Sequence, residues 1–400
     1  MITLSPRLRE IAASPAAVLR QRARELREAG RDIIELSSGN VDFPTPDHVV
    51  AAAHAAALRG ETRYTDADGT PALKEAIRAT LRRDHALDYA HDEIIATSGS
   101  TMAIFLTFFA TLSPGEEVIV PAPYWAPYLD QVRLAGGTPI TVSCPQNNGY
   151  KLRAADLAGA ISERTRWLII NNPVNPSGAV YSYADLRTLA DVLLRHPNIG
   201  IIADGLYEHF VFDGAPAATL AQVEPRLKSR IVTVSGVAKT YGMMGWRLGY
   251  AAGPKSLMDE LRKLLSQTTS CPSSISQAAA IAALTGPQEL LRERLGKLVQ
   301  RRDRLVARLD RCHGLSCKAP EGTYFLVVSC HELIGRRTPD GQPINTDRDV
   351  ATYLLDAASV SVLAGQDYGA SPSFRVNFAN PIELLDEAAN RIAQACEALP

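Results

Sequence analysis

VSGVAKTYGMMGWRLGYAAGP, residues 234–254, holds one lysine, one arginine and no other charged side chain. Lys239 sits among Gly236, Val237 and Ala238, and Arg247 follows eight residues later within a run of glycines. A lysine surrounded by small apolar neighbours loses hydration, which lowers its pKa by up to several units when burial is complete. The neutral amine is then a nucleophile toward carbonyls and suits Schiff-base chemistry. A surface lysine on a loop is the plainer reading and normally the commoner case. Arg247 has the opposite character, because a guanidinium stays charged in any environment and grips phosphate bidentately. Gly242, Gly245 and Gly249 let backbone and ligand approach closely.

The stretch follows a β-branched run, SRIVTVSG, and similar runs recur upstream: EIIAT, EEVIVP, TPITVS, RWLIINN and IGIIAD. Between several of them lie helical patterns, among them STMAIFLTFFATL and a segment from Tyr183 to about Leu194. Earlier still, residues 15–29 read as a helix, RDIIELSSGNVDFPTP as a short strand and loop, and PALKEAIRATLRRD as a helix. Short β-branched runs separated by helices predict a parallel sheet covered on both faces, an α/β domain. After about residue 255 a long helical stretch without a strand candidate takes over. GTYFLVVS and SFRVNFA then supply strands, and VATYLLDAA and LLDEAANRIAQACEAL supply helices. The division expected is an N-terminal segment, 1–45, joining a smaller α+β domain at 286–400, with the large domain at 46–285.

Four hundred residues are ample for a large core, and a formal net charge of -1 gives no global attraction to phosphate polymers or acidic membranes. Neither nucleic acid nor a membrane is an expected partner. MITLSPRLREIAAS becomes charged too early for a signal-peptide core, and the longest apolar run, MAIFLTFFATL, is too short to span a bilayer. A cytoplasmic location is the expectation. The six cysteines form no CxxC pair and read as reduced, mostly buried thiols. The eight histidines show no HxxxH or Cys/His quartet, so no metal is expected, and His209 and His313 read as hydrogen-bonders.

Ligands of α/β sheets bind beyond the carboxyl ends of the strands. After EIIAT comes SGST, where Gly99, Ser100 and Thr101 lead straight into a helix and offer an anion site at its positive end. RWLIINN is followed by PVNPSG, a turn that projects Asn175, and IGIIAD by GLYEH, with Asp204 at the strand end and Tyr207 a helical turn later. A lysine that condenses with carbonyls, an arginine for phosphate and a strand-end aspartate together match pyridoxal 5'-phosphate (PLP), whose pyridinium nitrogen takes an acidic partner.

With these residues in hand, the chain resembles the class I/II aminotransferases of PLP fold type I, and looks most like their bacterial aspartate-aminotransferase branch. The likeness runs from about residue 5 to the C-terminus. In that branch the lysine motif usually reads NGxxKxxxMTGWRxGY, against SGVAKTYGMMGWRLGY here. The resemblance implies a large domain with a mostly parallel seven-stranded sheet covered by helices, plus a smaller α+β domain. It implies that Lys239 holds the cofactor aldehyde and moves a proton, and that Asp204 keeps the ring nitrogen protonated. Tyr207 and Asn175 would hydrogen-bond the ring oxygen, and Trp125, in PAPYWAPY, would stack on the ring. Arg247 with Gly99, Ser100 and Thr101 would bind the phosphate. Tyr64, in TRYTDADGTP, would reach the neighbouring subunit's phosphate, which implies a homodimer with shared active sites. Arg375, in SPSFRVNFA, would pair with the substrate α-carboxylate, where Gly39 in SSGNVDF makes a backbone contact and Trp125 and Asn175 also border the substrate. Ala122-Pro123 and Asn175-Pro176 stand where the family often has cis peptides.

The match fails at several places near the expected pocket. Aspartate-specific members usually carry a lysine where Thr101 stands, and that lysine holds the second carboxylate of the substrate. Asn40 and Val41 replace an acid and a proline, Gly205 a glutamate, Ala238 a common serine and Ala364 a common proline. Cofactor chemistry is therefore expected to be intact while recognition of the substrate side chain has moved, with an acidic substrate less expected than in the nearest relatives. The leading expectation is amino transfer between an L-amino acid and a 2-oxo acid. Elimination, replacement or cyclisation on a specialised amino acid uses the same scaffold and stays open at this level. A serine hydrolase built on Ser235 and Lys239 fails on spacing, since the pair is four apart and no GxSxG occurs.

Overall fold

The computed structural model describes residues 15–212 and 217–400, together with positions 2, 5, 8 and 11. Most of the first fourteen residues of the expected 1–45 segment therefore lie outside the described residues. In chain order come α1 (Pro15–Glu28), β1 (Ile34–Glu35), α2 (Asp47–Leu58), α3 (Pro71–His85), β2 (Ile94–Thr97), α4 (Ser100–Thr111), β3 (Glu117–Ala122), α5 (Pro127–Leu134) and β4 (Thr138–Ser143). Next are α6 (Ala154–Ala160), β5 (Thr165–Asn171), α7 (Tyr183–Leu193), β6 (Gly200–Asp204), α8 (Leu220–Val223), β7 (Ile231–Gly236), β8 (Gly249–Ala252), α9 (Lys255–Thr268), α10 (Ser274–Thr285) and α11 (Glu289–Leu309). The remainder holds β9 (Ser316–Cys317), β10 (Phe325–Ser329), α12 (Asp347–Ala358), β11 (Val360–Ser361), β12 (Leu363–Ala364), β13 (Ser373–Asn377) and α13 (Ile382–Glu397).

Seven strands form one sheet in the order β2-β8-β7-β6-β5-β3-β4, parallel from β7 to β4, with β8 antiparallel to both of its neighbours. Successive side chains of a strand point to opposite faces. Ile231 of β7 accordingly joins a core formed with α2, α3, α7 and α10, while Val232 and Val234 join another formed with α4, α5 and α9. Both faces are covered, so the strands read as continuous apolar runs. Helix ends follow local chemistry. The Thr70 side chain accepts a hydrogen bond from Leu73 N, Pro71 opens α3, and Arg82, Arg83 and His85 occupy its last turn.

The smaller unit has a four-stranded antiparallel sheet, β12-β13-β10-β9, packed with α11, α12 and α13 around Phe325, Val328, Phe374, Leu305 and Ile392. The N-terminal segment joins it: β1 pairs in parallel with β11, and Ala23 of α1 packs with Leu355 of α12. Arg22 reinforces that contact through a bidentate pair with Asp356, at 2.8–3.0 Å.

Helices α2, α5, α6 and α8 and strands β8, β9, β11 and β12 add to the elements read from sequence. The long helical stretch is three helices, broken around Pro272 and Gly286-Pro287, and only α11 enters the core of the smaller unit. Among the described residues, no helix is long and apolar enough to cross a membrane. Five of the six cysteines are buried, and Cys271 is partly exposed.

Candidate active site

The strand ends named in the sequence converge because their register aligns them. Asn171 lies beside Asp204, Asp204 beside Val234, and Gly236 beside Gly249, which also pairs with Thr97. Beyond that edge is a cleft of about 440 Å³, lined by every candidate residue of the sequence reading except Tyr64.

Lys239 follows β7 and is partly buried. Its Nζ donates to Gly39 O at 2.9 Å. Burial, and then the charges of Arg375 and Arg247, lower its pKa to about 8, so the neutral amine is accessible near physiological pH. Asp204, at the end of β6, is buried and accepts hydrogen bonds from the Tyr128 hydroxyl and from Leu206 N, the latter at 3.0 Å. Burial raises its pKa, which a cationic partner would reverse. Asn171 ties the next strand in: its Nδ2 donates to Asp204 O at 3.0 Å, and its Oδ1 accepts from Asn175 N at 2.7 Å. Asn175 in turn donates from Nδ2 toward the Tyr207 hydroxyl at 3.5 Å. Burial pushes the Tyr207 phenol up. Trp125 stands edge-on to Tyr128, with ring centres 5.2 Å apart.

Ser100 and Thr101 open α4, so their N–H groups lack partners within the helix. Gly99, at φ 92°, precedes them, and a Cβ there would lie 2.6 Å from Arg247 Nη2. A Cβ on Gly249 would lie 2.1 Å from Ser100 N. The two glycines thus let Arg247 and the first turn of α4 come together. Arg247 itself adopts φ 53°, uncommon for a residue with a side chain, and Nη1 donates to Met244 O at 3.0 Å.

The opposite wall comes from the smaller unit and the N-terminal segment. Arg375 of β13 is buried, with Nη1 donating to Asn175 Oδ1 at 3.2 Å and Nη2 to Ser37 O at 2.8 Å. Its guanidinium lies over the Phe325 ring at 4.0 Å, while Nε is buried without a partner. Gly39 O accepts a second bond, from the Tyr324 hydroxyl at 2.9 Å. Asn377 holds the same segment by donating to Ser38 O and Asn40 O. Tyr64 is 87% exposed and outside the cleft of its own chain.

Sequence reasoning missed Tyr128, Asn171, Tyr324 and Arg20, all of them tied to this cleft or lining it. PAPYWAPY marked Trp125, and its second tyrosine, three residues on, was the available signal for Tyr128. The departures from the family pattern fit locally. Val41 is buried in the smaller core, and a Cβ on Gly205 would lie 2.9 Å from Glu208 Oε2. Of the positions expected to hold cis peptides, both Ala122-Pro123 and Asn175-Pro176 are cis.

The donor set fits PLP. The glycine-lined cradle at Gly99 and Gly249 presents Arg247 and two helix N–H groups to a phosphate, the buried Asp204 suits a protonated ring nitrogen, and Lys239 offers an amine to an aldehyde. The partnerless Nε of Arg375 remains for a carboxylate.

The chain belongs to the class I and II aminotransferases, whose family model, "Aminotransferase class I and II", matches residues 31–392. It is a PLP-dependent enzyme that transfers an amino group between an L-amino acid and a 2-oxo acid. A Rhizobium meliloti (strain 1021) protein named aspartate aminotransferase is 46% identical over 98% of this chain and 96% of its own length. The aspartate/prephenate aminotransferase of Cereibacter sphaeroides is 43% identical, with both chains covered in full. The crystal structure of the aspartate aminotransferase from Rhizobium meliloti superposes with a TM-score of 0.97 at 45% identity, covering 100% of each chain. The names of these relatives give no support to elimination, replacement or cyclisation.

Proposed function

We propose that the cleft works with the division of labour its residues suggest. The observation that carries this reading is Lys239: a partly buried amine with its pKa lowered to about 8, hydrogen-bonded to Gly39 O and flanked by two arginines. When bound, PLP supplies an electron sink that eases removal of the proton from the substrate Cα. Arg247, Gly99, Ser100 and Thr101 hold the phosphate, Asp204 keeps a proton on the ring nitrogen, and Trp125 covers the ring. Tyr207 and Asn175 donate toward the ring oxygen. Arg375 orients the substrate by gripping its α-carboxylate, with Gly39 at the same end. Lys239 Nζ, freed as a neutral amine, accepts the Cα proton.

The rest of the reading concerns assembly and substrates. Residues 46–285 form the cofactor domain and 286–400 with 1–45 the smaller one, a division supported by the separate cores on each side of α11. Tyr64 acts in the cleft of a second copy, making the enzyme a homodimer; its exposure, with that of Val50 and Leu58, supports a covered surface there. Cytoplasmic location is part of the same reading. Aspartate and prephenate, the substrates in the relatives' names, are the first to try.

Borohydride treatment of the holoenzyme followed by peptide mapping tests the central role, with the label expected on Lys239. A label on any other residue overturns it.

A further inference from the structure

Four basic side chains and one acid line the cleft: Arg20, Lys239, Arg247 and Arg375 against Asp204. On the reading above, on which this inference rests, the cofactor engages Lys239, Arg247 and Asp204, and the α-carboxylate engages Arg375. One cation is left. Arg20 of α1 makes no hydrogen bond or ion pair with any described residue. On the same helix Arg22 grips Asp356 and Arg27 donates to Glu35 at 3.0 Å, while Arg24 is likewise without a partner among the described residues but does not line the cleft. Arg20 is exposed to solvent at the cleft wall and, with no acid among the described residues to pair with, is open to an anion that enters the cleft.

Its place in the cleft fits that role. Tyr368 lines the cleft together with Arg20 and Arg375: the Arg375 guanidinium is 5.1 Å from its ring centre, and the charge of Arg20 also acts on the phenol. Apart from the four basic side chains and Asp204, the residues lining the cleft, Ile104, Leu363, Phe325 and Thr101 among them, carry no charge. The helix bearing Arg20 is fixed to the smaller unit through Arg22–Asp356 and through Ala23 against Leu355, so the guanidinium projects from an anchored base.

We propose that Arg20 is a specificity-determining residue that binds the second carboxylate of a dicarboxylic amino acid or 2-oxo acid, supplying from α1 the charge that Thr101 lacks. The loss of a basic residue at position 101 is then a relocation of the cation, and acidic side chains remain the preferred substrates.

The test uses the holoenzyme as wild type, Arg20→Leu, Arg20→Lys and Arg24→Leu. Arg20 has no partner among the described residues to lose, and the cofactor absorbance reports that each variant is loaded. Calorimetry with succinate and butyrate reads binding alone: wild type and Arg24→Leu should bind succinate at least about 10-fold more tightly, Arg20→Leu should bind the two alike, and Arg20→Lys should recover part of the preference. In single half-reactions Arg20→Leu should lose about 10- to 100-fold in kcat/KM for aspartate or glutamate and keep its rate with leucine or phenylalanine. The inference is overturned if wild type shows no preference for succinate, or if Arg20→Leu retains it. Failure of wild type to convert any amino acid would instead sink the assigned catalytic roles, and the succinate measurement would still decide Arg20.

Discussion

The cofactor-facing half of the cleft rests on β5, β6 and β7, interior strands paired on both sides, while the substrate-facing half is assembled from β13, the segment after β1, and α1. In the first half, Asp204, Asn171 and Asn175 are linked to one another by hydrogen bonds. In the second, among the described residues, Arg375 Nε is buried without a partner and Arg20 pairs with no acid. The difference teaches where chemistry and choice reside. On the proposed roles, the chemistry common to many substrates rests on a rigid sheet edge, and the donors that would select among them sit on a separate unit, joined to that edge by the Arg375–Asn175 hydrogen bond.

The comparison breaks most completely at Lys239. Lys239→Ala should lower kcat by about 10⁴-fold for every amino acid, acidic or not, as measured by single-turnover absorbance. A loss confined to some substrates would move the residue to the other half. Beneath the cofactor half, the buried His85 Nε2 lies 2.6 Å from Glu208 Oε2, and Ser235 Oγ donates to Glu208 Oε1 at 2.8 Å. Burial opposes charge on both, yet their pairing raises His85 and lowers Glu208. Glu208→Gln should therefore cost about 3 kcal/mol in urea unfolding near neutral pH. Stability from the imidazolium is present below its unfolded pKa and disappears as pH rises through the raised native value. That from the carboxylate disappears as pH falls through its lowered one. The gap between variant and wild type should thus be widest between those limits, and a pH-independent gap would show that the pair is not ionic.

A third measurement sharpens the contrast by turning it around. In cofactor-free protein the lowered pKa of Lys239 is a cost, since the unfolded chain binds its proton more tightly than the native one. Lys239→Met should then be more stable than wild type by about 2–3 kcal/mol at pH 7, with the difference shrinking as pH rises from about 8 to about 10.5. Equal stability at pH 7 would remove the basis for a poised amine. On the substrate side, Arg375→Lys keeps the charge and loses the fork, so kcat/KM should fall roughly 10- to 100-fold with cofactor affinity unchanged by spectral titration. Weakened cofactor binding would show that the two halves are not separable at that residue.

Much of the cofactor half was legible because polar residues directly after β-branched runs are anomalous: SGST, ADGLYEH and the Lys239 stretch each break an apolar pattern. Strand β8 was not, since GYAA is four residues of small and aromatic character with no β-branched member, and its place is set by pairing with β2 and β7. DHVVAAAHAAAL, which forms α2, is apolar almost all round, so its periodicity is faint; packing against α10 settles it. Tyr128 was hidden because its role depends on Asp204, distant in sequence. Arg20 was hidden for a different reason: α1 carries several arginines, and from sequence they read alike as a solvated face. Only the tertiary position separates the one on the cleft wall from the one that grips Asp356.

The reversal of β8 within an otherwise parallel sheet has an entropic consequence. Because the chain turns back after Gly236 and re-enters the sheet at Gly249, Lys239 and Arg247 share a single short excursion between adjacent strands, with no crossover helix between them. Closing so brief a segment sacrifices little freedom. The spacing between the residue that would bond the aldehyde and the one that would face the phosphate is consequently a local property of the polypeptide, insulated from insertions or drift elsewhere along its length.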